Sequence, residues 1–586
     1  MILRRMDMRK RFMAAALAAV MTASALTGCG SDSASTTAAP TAEGSEAEGT
    51  QGAGEEDTKA EDMEAEDTGE KETLVVGLQG NTNITDFKDN YLTKLLEEEL
   101  NCNLEIYEFA ATGSDLETQV SLMASGGSGD VPDVILYKGF TPETVLNYGT
   151  NGFFIPLNDY YERTDTNYAQ LPEEDKEVIE KAMTLADGNM YALPNYSESP
   201  WNDTSNRLFI NTAWLDKLGL EIPTTTDELY EVLKAFVNND PNGNGVKDEI
   251  GLYGFTEGGY GQDIVDTIMN AFVFYNGGSQ NGGLALDETG ETVVAPFTSE
   301  EWREGLRYFK KLYDEGLMPS SVFTDDDTQF KATLNSETNI VGMVSAGSKS
   351  NWTDCDNNPN FLELTMIEPM TGPDGLCYSP YAEYSPEFNL FVTSSCENVD
   401  LALELGDWFM TIEHSRYGRY GEKGVDWTDD PEVCAEYSNA YVEAGYAEEV
   451  TGVYQTNIWS EPNNKFWHNI NPYYSPLEGE MSMANGLTPF DENAKSSMLE
   501  AYNLEYNYDK HPEHILPLLH YTAEESAQCA QSMADIKSLV EQAKAEFITG
   551  TRDIESGWDA YLNELEQCGL SDWMAIAQTA FERAQE

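Results

Sequence analysis

From residue 73 onward the chain alternates short apolar runs with stretches of helical spacing, and this alternation limits the possible folds more than any other feature. Thr73-Leu74-Val75-Val76-Gly77-Leu78 has the length and β-branched content of a buried strand. Asp86 to Leu100 then places Tyr91, Leu92, Leu95, Leu96 and Leu100 at a helical period. Leu104 to Phe109 reads as a second strand, Leu116 to Ala124 as a second helix and Val131 to Leu136 as a third short strand. Parallel strands need a crossover long enough to return the chain to its starting edge, and a helix supplies it. A parallel sheet is therefore expected. Ligands of such sheets gather beyond the carboxyl ends of the strands. That draws attention to Tyr137 and Lys138, which follow the third strand directly.

A second α/β block opens at Arg207-Leu208-Phe209-Ile210. Pro223 and the pair Thr225 and Glu228, spaced as a capping box, start a helix with Leu229, Leu233 and Phe236 on one face. Asn389-Leu390-Phe391-Val392 is a later strand, and Leu401, Leu405, Trp408, Phe409 and Ile412 form the stripe of the next helix. Near the end, Thr522 and Glu525 repeat the capping box. Met533, Ile536, Val540, Ala543 and Phe547 share a face, and Gly550 is placed to stop that helix. Core packing accounts for all these stripes. No internal repeat is present.

The first residues address the chain to the cell exterior. Arg4, Arg5, Arg9, Lys10 and Arg11 precede an apolar, Ala-rich run from Met13 to Leu26, too short for a membrane-spanning helix. The run ends in Leu26-Thr27-Gly28-Cys29, which resembles a bacterial lipobox and makes Cys29 the expected acylated N-terminus of the mature protein. Residues 30–72 hold 14 acidic residues against Lys59 and Lys71, and no Leu, Ile, Val or aromatic residue. A segment so poor in apolar surface cannot offset its ordering entropy, and its like charges extend it. It suits a tether.

The net charge of −71 makes nucleic acid and anionic membrane surfaces poor partners. Of the 8 cysteines, those beyond Cys29 are odd in number and form no CxxC pattern. That argues against a zinc site and a full disulfide framework, although one or two bridges stay open. There is no HExxH, GxSxG or P-loop motif, and the 5 histidines lack metal or triad spacing. The abundance of carboxylates is no evidence for a glycosidase pair, since some pair could always be chosen.

Four segments then resemble one family. Met123-Ala124-Ser125-Gly126 with Asp130-Val131-Pro132-Asp133-Val134-Ile135 is similar to the "asGdlPDii" signature of extracellular solute-binding proteins, family 1. Asp187-Gly188-Asn189-Met190-Tyr191-Ala192-Leu193-Pro194 resembles its "dGkiYglP", and the stretch from Asn211 to Asp227 its crossing segment. Phe547-Ile548-Thr549-Gly550 with Trp558-Asp559-Ala560-Tyr561 resembles the ending of the large, LipO-like lipoprotein branch. The resemblance implies a periplasmic-binding-protein-like α/β fold: two lobes joined by a hinge of crossing strands, closing over a sugar, with a helical C-terminal region. On that reading residues 1–28 are the signal peptide and 29–72 the lipidated cysteine and tether. Residues 73–206 form the first part of the N-lobe, 207–386 the first part of the C-lobe, 387–414 a return to the N-lobe, and 415–586 a helical region completing the lobes. The implied partners are an oligosaccharide and the permease subunits of an ABC importer, at the extracellular face of the membrane. A secreted glycan-active enzyme and a peptide-binding or signalling lipoprotein are the alternatives.

Asp240-Pro241-Asn242-Gly243-Asn244-Gly245-Val246-Lys247-Asp248-Glu249 carries the clearest local chemistry. Calcium takes six to eight oxygen ligands from carboxylates, amides and backbone carbonyls. Asp240, Asn242 and Asn244 stand at positions 1, 3 and 5, the Val246 carbonyl at 7, and Asp248 and Glu249 at 9 and 10. Position 12 is Gly251, where an EF-hand requires Glu. The stretch instead resembles the calcium loop of oligosaccharide-binding members of the family, with a structural Ca²⁺. Sugars offer flat apolar faces ringed by hydroxyls, so aromatic residues in polar context are candidates for the cleft. These are Tyr196, Trp201, Trp352, Trp459 and Trp467, with Tyr473 and Tyr474 nearby, in addition to Tyr137 and Lys138. The scarcity of cations favours a neutral glycan.

Overall fold

In this computed structural model the described residues are 71–127, 130–256, 260–278, 281–349, 358–456, 458, 462–486 and 502–585. The signal peptide, Cys29 and the tether lie outside them, as do Trp352 and Trp459. No described helix is long and apolar enough to cross a membrane.

Ten strands form the two principal sheets: β1 Thr73–Gln79, β2 Asn103–Phe109, β3 Val134–Leu136, β4 Leu193–Ser197, β5 Arg207–Asn211, β6 Ile250–Tyr253, β7 Val341–Ala346, β8 Leu364–Ile367, β9 Glu387–Val392 and β10 Tyr473–Ser475. The N-lobe sheet has the order β10-β4-β9-β3-β1-β2 and the C-lobe sheet the order β8-β5-β7-β6. β1 pairs in parallel with both β2 and β3. The helices α1, Tyr91–Glu99, and α2, Gly113–Ala124, supply the crossovers. α1 begins later than its apolar pattern suggests. The Asp86 carboxylate accepts the amides of Lys88 and Asp89 and holds a turn, and Asn90 then caps the helix by accepting the Leu92 amide. Asp133 does structural work between strands: its carboxylate accepts the Val75 amide at 2.8 Å, and its own amide donates to the Val75 carbonyl.

The chain passes between lobes from β4 to β5 through residues 198–206, and back from β8 to β9 through residues 368–386. Returning from the C-lobe, β9 inserts between β3 and β4, antiparallel to both. β10 belongs to the N-lobe sheet, whereas Tyr502, where the described chain resumes after residue 486, packs against the C-lobe core. That core contains Trp302 and Phe309 of one helix, Glu300–Asp314. It also takes Ile536, Val540 and Phe547, Trp558 and Tyr561, and Trp573 from three C-terminal helices, Ala523–Thr549, Ile554–Gln567 and Leu570–Gln585. The C-terminal helices thus complete the second lobe. A small third sheet, joining Trp427–Thr428, Gly452–Tyr454 and Met483–Asn485, covers a minor core of Cys434, Val450, Val453 and Ala484.

The described cysteines are Cys102, Cys377, Cys396, Cys434, Cys529 and Cys568. No bridge joins any two of these six.

Candidate functional site

A cavity of about 1380 Å³ lies between the lobes. Its N-lobe wall is Lys138 after β3, Asn195 and Ser197 of β4, Glu387 of β9, Arg419 and Asn469. Its C-lobe wall includes Tyr260, Asp263, Asp266 and Phe274, and the stretch Ala534, Lys537, Ser538 and Glu541 of the helix Ala523–Thr549. Both crossings line it as well, through Asn202, Asp203, Ser205 and Asn206, and through residues 380–385. Lys138 and Ser197 stand at carboxyl ends of strands, where the open sheet leaves a crevice. Ser205 packs closely against Gly261. Gly261 has φ +77°, and a Cβ there would meet the Ser205 carbonyl at 2.2 Å, so only glycine allows this approach.

The rings of the wall are Tyr260, Phe274, Tyr381 and Tyr384. Tyr381 stacks on His511 with centroids 3.9 Å apart. The Tyr384 hydroxyl accepts the Ser197 amide at 2.7 Å, and its ring stands edge-on to Tyr196. The Tyr260 hydroxyl donates to Asn202 Oδ1 at 3.2 Å. These contacts hold three of the rings in place before any ligand arrives. Several charged groups are also engaged. Lys138 Nζ lies 3.7 Å from Glu387, and Arg419 lies 3.7 Å from Glu480, which accepts the Ser197 hydroxyl. In the C-lobe Lys544, fully buried and not itself lining the cavity, donates to the wall carboxylates Asp266 at 2.6 Å and Glu541 at 2.8 Å and lies 3.4 Å from Asp263.

The arrangement of two α/β lobes is matched by comparison with known proteins. The family of bacterial extracellular solute-binding proteins matches residues 81–415, more than half of the sequence. The chain belongs to that family. The fructooligosaccharide ABC transporter substrate-binding protein FusA of Streptococcus pneumoniae is 25% identical over 481 residues, covering 78% of this chain and 81% of FusA. The polygalacturonan/rhamnogalacturonan-binding protein YtcQ of Bacillus subtilis is 29% identical over 256 residues, covering 43% of this chain and 47% of YtcQ. A structure of an S. pneumoniae FusA EF-hand mutant in complex with fructo-nystose superposes with a TM-score of 0.71 at 23% identity, covering 88% of this chain and 99% of that one. The fold is periplasmic-binding-protein-like, and the relatives are solute-binding proteins rather than enzymes.

Within this solute-binding protein the residues singled out from sequence fall in different places. Lys138 lines the cavity. Tyr137 is 7% exposed, and its hydroxyl donates to Glu117 at 3.0 Å. Burial, with that carboxylate, pushes the phenol well above its ordinary value. Tyr196 is buried, stacked on Tyr474 at 5.6 Å, and donates to Asp175. Trp467 is 0% exposed in the N-lobe core, where its indole N–H donates to Thr93 Oγ1 at 2.9 Å. Trp201 carries the Arg207 guanidinium over its ring at 3.6 Å and packs on the C-lobe core. None of these four lines the cavity: Tyr137, Tyr196 and Trp467 are held by partners 20 or more residues away, and Trp201 by Arg207 six residues on. The cleft rings Tyr260, Phe274, Tyr381 and Tyr384 were not expected. The only available signal was their placement in Gly-, Pro- and Ser-rich loops and in the second crossing.

The loop 240–249 folds back on itself. The Asp240 carboxylate accepts the amides of Gly243 and Gly245, and both glycines have positive φ. Asn242 and Asn244 donate to Asp248, and Asn244 Oδ1 accepts the Val246 amide. Glu249 is 8% exposed, and its buried Oε1 has no hydrogen-bond partner. Burial, and then Asp240 and Asp248, push its carboxyl above the ordinary value. Among the described residues no three His, Cys, Asp or Glu side chains gather closely enough to hold an ion alone. An ion here would therefore draw on amide and carbonyl oxygens too, a mixed oxygen set that suits a hard cation. The orphaned Glu249 oxygen fits such an ion.

Proposed function

We propose that this solute-binding protein captures an oligosaccharide between its lobes and delivers it to the permease subunits of an ABC importer, while an acyl chain on Cys29 holds it at the extracellular face of the membrane. The observation that carries this reading is the interlobe cavity: about 1380 Å³, walled by both lobes and both crossings. It exceeds the roughly 300–1,000 Å³ of drug-sized ligand sites, so it has room for several sugar rings. Tyr260, Phe274, Tyr381 and Tyr384 offer platforms for apolar sugar faces, and Asn195, Ser197, Asn202 and Asn276 offer amides and hydroxyls for the hydroxyl rim. The relation to FusA, whose name records a fructooligosaccharide, supports the ligand class.

The mechanism follows from the two-sided wall. A ligand that touches one lobe alone binds open and closed forms equally and shifts nothing. A glycan touching Lys138 and Asn195 on one side and Tyr260 and Phe274 on the other binds the closed form better. Closure is thereby coupled to occupancy and is the signal the permease reads. The lipobox sequence supports the anchor. A structural Ca²⁺ held by Asp240, Asn242, Asn244, the Val246 carbonyl, Asp248 and Glu249 would staple the loop after the helix Thr226–Asn238. The cleft binds without catalysing.

Calorimetry of the full chain against neutral oligosaccharides, with chromatography of the recovered glycan, tests this reading. Saturable binding with the glycan returned intact is expected. Cleavage of the glycan would instead make it an enzyme, and selective peptide binding would assign it to peptide capture.

A further inference from the structure

We propose that the cleft is built for an uncharged oligosaccharide and rejects uronate glycans, through the excess of carboxylates on its wall and the commitment of Lys138 and Arg419 to carboxylate partners. This rests on the oligosaccharide reading above and names the class of sugar within it. Six carboxylates line the cavity: Asp203, Asp263, Asp266, Glu383, Glu387 and Glu541. The cations of the wall are Lys138, Arg419 and Lys537. Lys138 already faces Glu387 and Arg419 already faces Glu480, each at 3.7 Å. Arg419 is moreover the one arginine among the described wall residues. Planar carboxylates are recognised best by paired guanidinium forks, and this wall provides none to spare.

The most buried carboxylates of the wall point the same way. Asp263 and Asp266 are 9% and 8% exposed, and they share a single buried cation, Lys544, with Glu541. Burial opposes the charge on Lys544, but the three carboxylates more than compensate and hold it protonated. Burial, and then the neighbouring Asp263, push the Asp266 carboxyl up to about 8. Three carboxylates thus gather around one ammonium. Their oxygens accept hydrogen bonds from sugar hydroxyls and repel a uronate brought against them, a juxtaposition of like charges that disfavours the wrong partner strongly.

The test is calorimetry of the full chain with neutral fructo-, xylo- and malto-oligosaccharides and with oligogalacturonates of matched length. At least one neutral glycan is expected to bind roughly a hundredfold more tightly than any oligogalacturonate. Its affinity should also change by less than about threefold over a roughly tenfold rise in salt, because no ion pair joins it to the wall. An oligogalacturonate that binds as tightly as the neutral sugars overturns the inference and leaves the oligosaccharide reading intact. So does a neutral-glycan affinity that falls more than about tenfold with salt. Binding by neither class overturns the oligosaccharide reading itself.

Discussion

Arg207 is the residue whose loss should most disturb the connection between the lobes. It stands at the first position of β5, is fully buried, and reaches three parts of the chain at once. Its Nε donates to Asn503 Oδ1 at 2.7 Å, and its two terminal nitrogens donate to the carbonyls of Gly347 and Trp201. Trp201 belongs to the first crossing, Gly347 follows β7, and Asn503 opens the short helix Asn503–Asn507. Burial lowers the affinity of the guanidinium for its proton, so the three acceptors are what make the buried charge tolerable. Arg207→Met keeps the apolar stem and strands the acceptors. Two buried carbonyls without donors cost about 1–3 kcal/mol each, while Asn503 Oδ1 keeps the Thr204 hydroxyl at 3.1 Å. Removing a buried charge returns part of this, leaving a net loss of about 2–4 kcal/mol. Guanidinium unfolding followed by tryptophan fluorescence would measure it. Arg207→Lys should rescue little, since one ammonium cannot span three divergent acceptors. A loss under about 1 kcal/mol for the methionine variant would refute the reasoning.

Other consequences are open to direct measurement. Chelation of calcium should lower the thermal midpoint of the wild type and leave Glu249→Gln little changed; at a free ion concentration about a hundred times the dissociation constant, the stabilisation lost is about 2.7 kcal/mol. An identical melting curve with and without chelator would remove the ion from the account. Lys544→Met should destabilise by about 3–5 kcal/mol at neutral pH, because it leaves Asp263, Asp266 and Glu541 without their shared cation. The sign of its pH dependence follows from the raised carboxyls. Asp266, held at about 8, binds its proton more tightly folded than unfolded, so that contribution is present below the ordinary carboxylate range and is lost as pH rises toward 8. Lys544 opposes this rise at Asp263 and Asp266, so without it both carboxyls bind protons more tightly still and the variant gains more than the wild type on acidification. Denaturant titrations should accordingly show the variant's deficit shrinking from pH 8 to pH 5, and a deficit that grows on acidification would contradict the assignment. Cys29→Ser should move the protein from the membrane fraction to the medium, as cell fractionation would show; retention on the membrane would rule out the acyl anchor.

Much of the fold was legible because it depends on local period. The stripe Leu229, Leu233, Phe236 and the stripe Ile536, Val540, Ala543, Phe547 are buried, and the capping boxes at Thr225 and Thr522 close as the spacing implies. Gly550 ends its helix at φ +78°. The cleft was much less legible, since its makers meet across hundreds of residues. Trp467 sits in polar sequence yet is buried by Thr93, and Tyr196 is claimed by Asp175 and Tyr474. Lys544 joins Asp263 across 281 positions. Nothing near Tyr381 or Tyr384 distinguishes a loop ring that faces the cavity from one that faces solvent. Only the packing of the two sheets decides it.

The central claim is that a neutral glycan closes the two lobes on one another. Small-angle X-ray scattering of the full chain, recorded across a titration with the glycan that calorimetry identifies, tests it most directly. The account expects the radius of gyration to fall and to saturate with the same dissociation constant as the heat of binding. A saturated complex whose scattering matches that of the free protein would contradict it.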